Sequence, residues 1–338
     1  METGVADSRS AATPILEVQE LRVAYHSRNA AAVQSLAGVT FNLGRGEILG
    51  VLGESGSGKS TLAACLLRLL PPNGIVAGGR VVLEGCDVLK TNAKDLQQLR
   101  GARISLLGQE PSLALHPTMR IGAQVEEVLH AHEPLDADAR RERVRQLLTK
   151  LYALDAERIA LSYPHQLSGG QRQRAVIAQA IICRPTVLIA DEPTASLDAT
   201  TQHEILSVFK ALRDDLGIAI ILITHNPALL VGFADRVLVL YGGRIAELGL
   251  AAVVLFSPQH PYTQALLQCL PQHRVAGGST HKKRLPAIPG AAPNLAVVQP
   301  GCVFEARCAD RMEICQTREP ATVPLAGAHM VACFKFPG

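Results

Sequence analysis

Residues Gly53-Glu54-Ser55-Gly56-Ser57-Gly58-Lys59-Ser60 follow the spacing G-x-x-x-x-G-K-S/T, the pattern of a loop that cradles phosphate. Its glycines let backbone N–H groups, from Gly53 through Ser55 and Ser57 to Thr61, curl around phosphate oxygens. The start of a following helix adds a favourable dipole. Lys59 is placed to reach β- and γ-phosphates, and Ser60 to offer a hydroxyl to Mg2+. A second polar pair, Asp191-Glu192, closes the apolar run Val187 to Ala190. A carboxylate such as Asp191 suits a hard divalent cation, while Glu192 suits polarising a water for attack on a γ-phosphate. The run Ile221 to Thr224 ends in the same way at His225, whose ring is placed to donate to that phosphate.

A third stretch, LSGGQRQR from Leu167 to Arg174, is costly for the helix it opens. Each glycine there weakens the helix by roughly 1 kcal/mol relative to alanine. Ser168 is a capping residue, and Gly169 and Gly170 leave N–H groups bare at a helix start, which makes a second anion site. Two phosphate-binding elements with one strand-loop-helix cradle imply two chains meeting head to tail. Each nucleotide then lies between the Lys59 loop of one chain and the Ser168 helix of the other.

The elements that carry these residues alternate between strand and helix. Leu16 to Tyr25, Gly46 to Leu52, Arg80 to Leu83, Arg103 to Leu107, Thr186 to Ala190, Ile218 to Thr224 and Arg236 to Leu240 read as strands. Several are continuous apolar runs, as in parallel sheets covered on both faces. Ser60 to Leu70 has helical spacing up to Pro71-Pro72, and Asp136 to Leu151 reads as an exposed amphipathic helix. The class expected is α/β. Residues 1–14 read as a loose tail and 15–250 as the main domain. Residues 251–338 read as an extension with a Pro- and Gly-rich stretch and a basic, solvated patch at His281 to Arg284.

At 338 residues the chain is long enough for a substantial core. Its net charge of +3 is too small to argue for nucleic acid. Apolar runs stay well short of the ~18 residues of a membrane helix, and the N-terminus lacks the form of a secretory signal. The expected setting is intracellular, with cysteines reduced or metal-bound.

GESGSGKST, LSGGQ, VLIADEPTASLD and ITHN, in that order, resemble the nucleotide-binding subunit of an ATP-binding cassette (ABC) transporter over about residues 16–250. The resemblance implies a P-loop NTPase fold: a RecA-like core with a mainly parallel sheet, an antiparallel β subdomain, and an α-helical subdomain at about 110–180. It implies ATP and Mg2+, the metal held through Ser60, Gln109 and Asp191. It assigns Tyr25 to stacking on adenine and Gln109 to contacting Mg2+ and the attacking water and sensing the membrane partner. Leu167, Ser168, Gly169, Gly170 and Gln171 are assigned to the partner's nucleotide, Asp198 to the dimer interface, and His225 to a switch. Gly108 stands where the family more often has an aromatic residue.

PHQLSGGQRQR, SLALHPTMRIGAQ, SPQHPYTQALL, LPAIPGAAP and GCVFEARC extend the resemblance to the oligopeptide/dipeptide importer ATPases, a group that also serves nickel, glutathione and some sugars. Cys302, Cys308, Cys315 and Cys333 follow C-x5-C-x6-C-x17-C. That spacing lets four thiolates meet around zinc or an iron–sulfur cluster, or stay unligated. The resemblance implies a 4Fe–4S cluster. Cys65, Cys86, Cys183 and Cys269 read as core packing.

The function implied is ATP hydrolysis with Glu192 as base, driving an importer from the cytoplasmic face of the inner membrane. The partners implied are a second cassette (identical or paralogous), two transmembrane permease subunits and an extracytoplasmic solute-binding protein. Cargo other than peptide, nickel included, is the alternative. A soluble ABC ATPase acting on DNA or ribosomes fits poorly, because Gln109 and LSGGQ stand too close for a coiled-coil insertion.

Overall fold

The computed structural model describes residues 13–27, 30–195, 197–269, 287–297 and 299–336. The basic patch His281 to Arg284 and residues 1–12 of the expected tail lie outside the described residues. The strands are β1 (Leu16–Ser27), β2 (Ala30–Leu43), β3 (Ile48–Leu52), β4 (Gly74–Leu83), β5 (Cys86–Asp87), β6 (Ile104–Leu107), β7 (Val187–Asp191), β8 (Ala219–Ile223), β9 (Arg236–Tyr241), β10 (Arg244–Leu250), β11 (Val323–Pro324) and β12 (Met330–Val331). The helices are α1 (Lys59–Leu66), α2 (Ala93–Leu99), α3 (Pro111–Ala114), α4 (Ile121–His132), α5 (Ala137–Tyr152), α6 (Ala156–Leu161), α7 (Gly169–Ile181), α8 (Ala199–Leu216), α9 (Ala251–Phe256), α10 (Pro261–Gln268) and α11 (Ile314–Thr317).

Two sheets result. An antiparallel one has the order β2-β1-β4-β5, and a larger one the order β11-β12-β10-β9-β3-β8-β7-β6. In the larger sheet β9, β3, β8, β7 and β6 run parallel, and β10, β12 and β11 extend its edge antiparallel. Every residue of β3 and β8 is buried. Their alternation sorts side chains to two cores. Leu49, Val51, Val187, Ile189, Ile221 and Ile223 face α1 and the antiparallel sheet. Ile48, Leu52, Leu188, Ala190, Ile220 and Leu222 belong to the core on the other face, which includes the helices inserted between β6 and β7 and also α8 and α9. Continuous apolar strands are therefore required, because both faces are covered.

Two expectations need correction. The first helix ends at Leu66, before Leu70 and the prolines. Arg68 adopts φ 51°, and Leu69 N–H closes back on Ala64 C=O at 2.7 Å. Arg100 then satisfies the freed carbonyls, donating from Nε to Leu67 and from Nη2 to Arg68, both at 2.8 Å. The stop is a local carbonyl closure. Cys86 is exposed, unlike buried Cys65 and half-buried Cys183 and Cys269. It follows the Glu84-Gly85 turn between β4 and β5, with Sγ 3.3 Å from Thr91 Oγ1.

The extension joins the main sheet directly. β12 pairs with β10, and fully buried Glu247 of β10 binds His329 Nε2 at 2.7 Å. The same carboxylate accepts from Gln259 N–H (2.7 Å) and His260 N–H (3.0 Å) at the entry to α10. A buried carboxylate is tolerated only with such partners.

Candidate nucleotide site

The parallel strands end along one edge of the sheet, where ligands gather in such folds. At the end of β3 the chain turns through Gly53–Gly58 into α1. Gly58 has φ 106°, and a Cβ there would stand 2.6 Å from Ser35 C=O, so glycine is required. Lys59 is buried, and its Nζ donates to Gly53 C=O at 2.7 Å and Glu54 C=O at 2.9 Å. Burial lowers the Lys59 pKa, opposed by the charges of Glu192, Asp191 and Glu54. Asp191 is shifted up, chiefly by burial and also by Glu192, while its hydrogen bond to Ser60 and the Lys59 charge pull it down. Ser57 Oγ is buried without a hydrogen-bond partner in the loop.

The pairings Val51 with Ile223 and Ile223 with Asp191 bring three strand ends level. Glu192 has φ 48°, its N–H donates to Ile223 C=O at 2.9 Å, and its Oε2 lies 3.1 Å from His225 Nδ1. Leu107 pairs with Ala190, so exposed Gln109 leaves β6 at the level of Glu192. Tyr25 of β1 closes the other side, its hydroxyl 3.2 Å from Thr61 Oγ1, which also accepts from Ser35 Oγ at 2.8 Å. The Ser60 hydroxyl and the Asp191 carboxylate offer hard oxygen donors suited to Mg2+.

The signature residues Ser168 to Gln171 line a separate cleft. Leu167 is buried. Ser168 caps α7 as expected: its Oγ accepts from Gln171 N–H at 3.3 Å, and Gln171 Oε1 accepts from Ser168 N–H at 3.1 Å. A Cβ on Gly170 would stand 2.7 Å from Thr201 Cγ2. Asp198 caps α8, accepting from Thr200 and Thr201 N–H and from Thr201 Oγ1 at 2.7 Å. The Thr201 hydroxyl holds its carboxyl below the usual range. An open cleft of about 410 Å³ is lined by Ser168, Gly169, Gly170, Gln171, Asp198 and Glu204 among others, with no residue of Gly53–Ser60 among the described residues that line it.

The four extension cysteines are brought near one another. Cys302 N–H donates to Cys315 C=O at 2.8 Å. Burial pushes the Cys302 thiol up to about 11, and Cys315, Cys308 and Cys333 add to the shift. Cys308 and Cys333 are raised likewise, by burial first. Yet among the described residues no group of three or more His, Cys, Asp or Glu side chains is arranged to hold a metal ion. The expected joint centre finds no support in that geometry: without a cation, burial keeps these three as neutral thiols.

Sequence reasoning gave no role to Glu54, Tyr241, Tyr262 or Arg307, which meet at the phosphate loop. Glu54 N–H donates to Tyr262 Oη at 2.9 Å, and Arg307 grips the Glu54 carboxylate with two hydrogen bonds, at 2.7 and 3.0 Å. The strings containing Tyr262 and Arg307 were visible as motifs, but separations of 208 and 253 residues hid their partner.

The ABC transporter family model matches residues 36–195, and the model for the oligopeptide/dipeptide transporter C-terminal region matches 246–315. The chain is 39% identical over 321 residues to the dipeptide transport ATP-binding protein DppD of Bacillus subtilis, covering 95% of this chain and 94% of that one. It is 40% identical over 325 residues to the oligopeptide transport ATP-binding protein OppD of Salmonella typhimurium, covering 96% and 94%. The dimeric ATP-binding cassette MJ0796, bound to ADP and Pi in a post-hydrolysis state, matches with TM-score 0.62 and 27% identity, covering 70% of this chain and 98% of that one. The chain therefore belongs to the ATP-binding subunits of ABC transporters, in the group with the oligopeptide/dipeptide-type C-terminal region. Its ABC cassette fold and ATPase class follow from that membership.

Proposed function

We propose that this chain hydrolyses ATP to drive import of peptides or a related small solute through separate membrane subunits. The observation that carries the reading is the sheet edge, where Lys59, Asp191, Glu192 and His225 converge from three parallel strand ends. Lys59 holds the β- and γ-phosphates, with N–H groups from Gly53 to Thr61 around them, and Tyr25 stacks on adenine. Ser60, Asp191 and Gln109 would hold Mg2+. When bound, that cation neutralises charge on the transferred phosphoryl group. Glu192 accepts a proton from the attacking water. His225, which stands 3.1 Å from Glu192, donates to the γ-phosphate.

Leu167–Gln171 engage the nucleotide of a second cassette, identical or paralogous, and Asp198 crosses to it. The separate signature cleft supports this two-chain arrangement. Two permease subunits dock on the segment after Gln109, where Leu113 is 82% exposed. They hold the chain at the cytoplasmic face of the inner membrane, and a solute-binding protein delivers cargo from outside. Among the described residues no helix is long and apolar enough to cross a membrane. The names of the dipeptide and oligopeptide relatives support the cargo class.

Glu192→Gln tests the reading. Hydrolysis in the assembled complex should fall by ~10²-fold or more while ATP binding persists. Near-normal turnover would remove Glu192 from its role. For Cys302, Cys308, Cys315 and Cys333 we keep the 4Fe–4S cluster as a proposal. It rests on the C-x5-C-x6-C-x17-C spacing, which lets four thiolates meet. Anaerobic protein should carry about four irons and four sulfides per chain. One zinc without sulfide, or neither metal in folded protein, would refute it.

A further inference from the structure

We infer that Arg307, carried on the C-terminal extension, is a positioning residue of the nucleotide site: it neutralises and holds Glu54, the carboxylate within the phosphate loop. The inference rests on the reading of Gly53–Ser60 as the ATP site.

A loop that must accept phosphates is a poor place for a carboxylate, because like charges repel strongly where water is scarce. Glu54 is the second residue of this loop, and its charge acts on Lys59. Arg307 answers it. Its Nη1 and Nη2 each donate to one Glu54 carboxylate oxygen, and its side chain is 7% exposed against 26% for Glu54. Such a fork matches a carboxylate in both charge and plane, which a lysine ammonium does not.

The arginine is itself fixed. Nε donates to Pro289 C=O at 2.9 Å and Nη1 to Tyr241 Oη at 3.1 Å, with the guanidinium 5.8 Å from the Tyr241 ring centroid. The preceding residues anchor the turn: Phe304 packs edge-on against Tyr241 and Tyr262, with centroids 5.1 and 5.4 Å away. Tyr262 takes the Glu54 N–H, and Lys59 takes its C=O. All three polar groups of Glu54 are thus held, two of them by the extension. The carboxylate that the phosphate loop itself carries is thereby paired and its charge offset.

A purely structural staple would make different predictions from charge cancellation. The test measures Mg-ATP dissociation constants and ATPase KM and kcat on the full-length chain, at low and high salt. The variants are Arg307→Ala, Arg307→Lys, the double variant Arg307→Ala with Glu54→Gln, and Lys59→Ala. Arg307→Ala should weaken ATP binding about tenfold at low salt, and less at high salt. Arg307→Lys should fall between Arg307→Ala and the parent. The double variant should recover to within about threefold of the parent, since removing the carboxylate removes the repulsion. A lost staple is not repaired by deleting its other half.

Binding by Arg307→Ala within twofold of the parent, or equal weakening in the single and double variants, would overturn the proposal. If Arg307→Ala does not fold, the double variant and Arg307→Lys decide: recovery supports charge cancellation, and failure of both overturns it. If Lys59→Ala binds ATP as the parent does, the ATP-site reading falls and this proposal with it. If Lys59→Ala loses binding while Arg307→Ala does not, only the role of Arg307 falls.

Discussion

The two glycine-bearing loops of this chain both open helices, yet they are held in opposite ways. The phosphate loop, besides its own bonds from Lys59 to Gly53 and Glu54 C=O, is fixed from far away: Glu54 alone is tied to Tyr262 and Arg307, 208 and 253 residues on. The signature loop is fixed mostly by itself. Ser168 and Gln171 close a reciprocal box across three residues. Its links beyond are few: Tyr152 Oη donates to Gln171 C=O at 2.6 Å, and Arg174 pairs with Glu204 and donates to Leu151 C=O. The first loop is built into the core sheet and preorganised for phosphate. The second is presented as a self-capped end on a helical layer, suited to meeting a surface that another chain supplies.

Two substitutions probe this contrast, the larger effect first. Lys59→Ala should cost ~10²-fold or more in nucleotide affinity of the isolated chain, since a buried ammonium beside the phosphates is lost. Ser168→Arg should leave that affinity within about twofold while abolishing turnover of the assembled complex, because its side chain would obstruct the partner's nucleotide. Equal loss of isolated-chain binding in the two variants would merge the loops into one intrachain site. Tyr152→Phe should act more gently. Removing the donor to Gln171 C=O should destabilise the α5–α7 contact by about 1 kcal/mol, seen as faster amide exchange at the start of α7, with ATP affinity of the isolated chain unchanged. A drop in that affinity comparable to Lys59→Ala would show that the signature helix supports the phosphate loop within one chain.

Much of this molecule was legible in the sequence, for reasons tied to particular residues. Phosphate binding uses backbone N–H groups, so Gly53, Gly58 and Lys59 must be close in sequence, and so must Ser168 and Gln171. The apolar runs of β3, β7 and β8 announce a sheet covered on both faces, and that sheet sends Asp191, Glu192 and His225 to one edge. The end of α1 was misjudged because the visible signal was Pro71. The closure itself is local, Leu69 N–H returning to Ala64 C=O, and Arg100, which satisfies the freed carbonyls, lies more than thirty positions away. Cys86 was misjudged because a lone cysteine has no periodicity to betray its face.

The sequence by itself carried the phosphate-loop pattern, its strand-loop-helix frame and the second glycine-bearing helix start, since each is written in contiguous residues. Only the tertiary structure decided what surrounds that chemistry. It set His225 against Glu192 at 3.1 Å, joined β12 of the extension to β10, and brought Arg307 onto Glu54. The physical reason is the same in each case. A contact of this kind depends on where folded backbones cross, and local spacing carries no record of a crossing between segments tens to hundreds of residues apart.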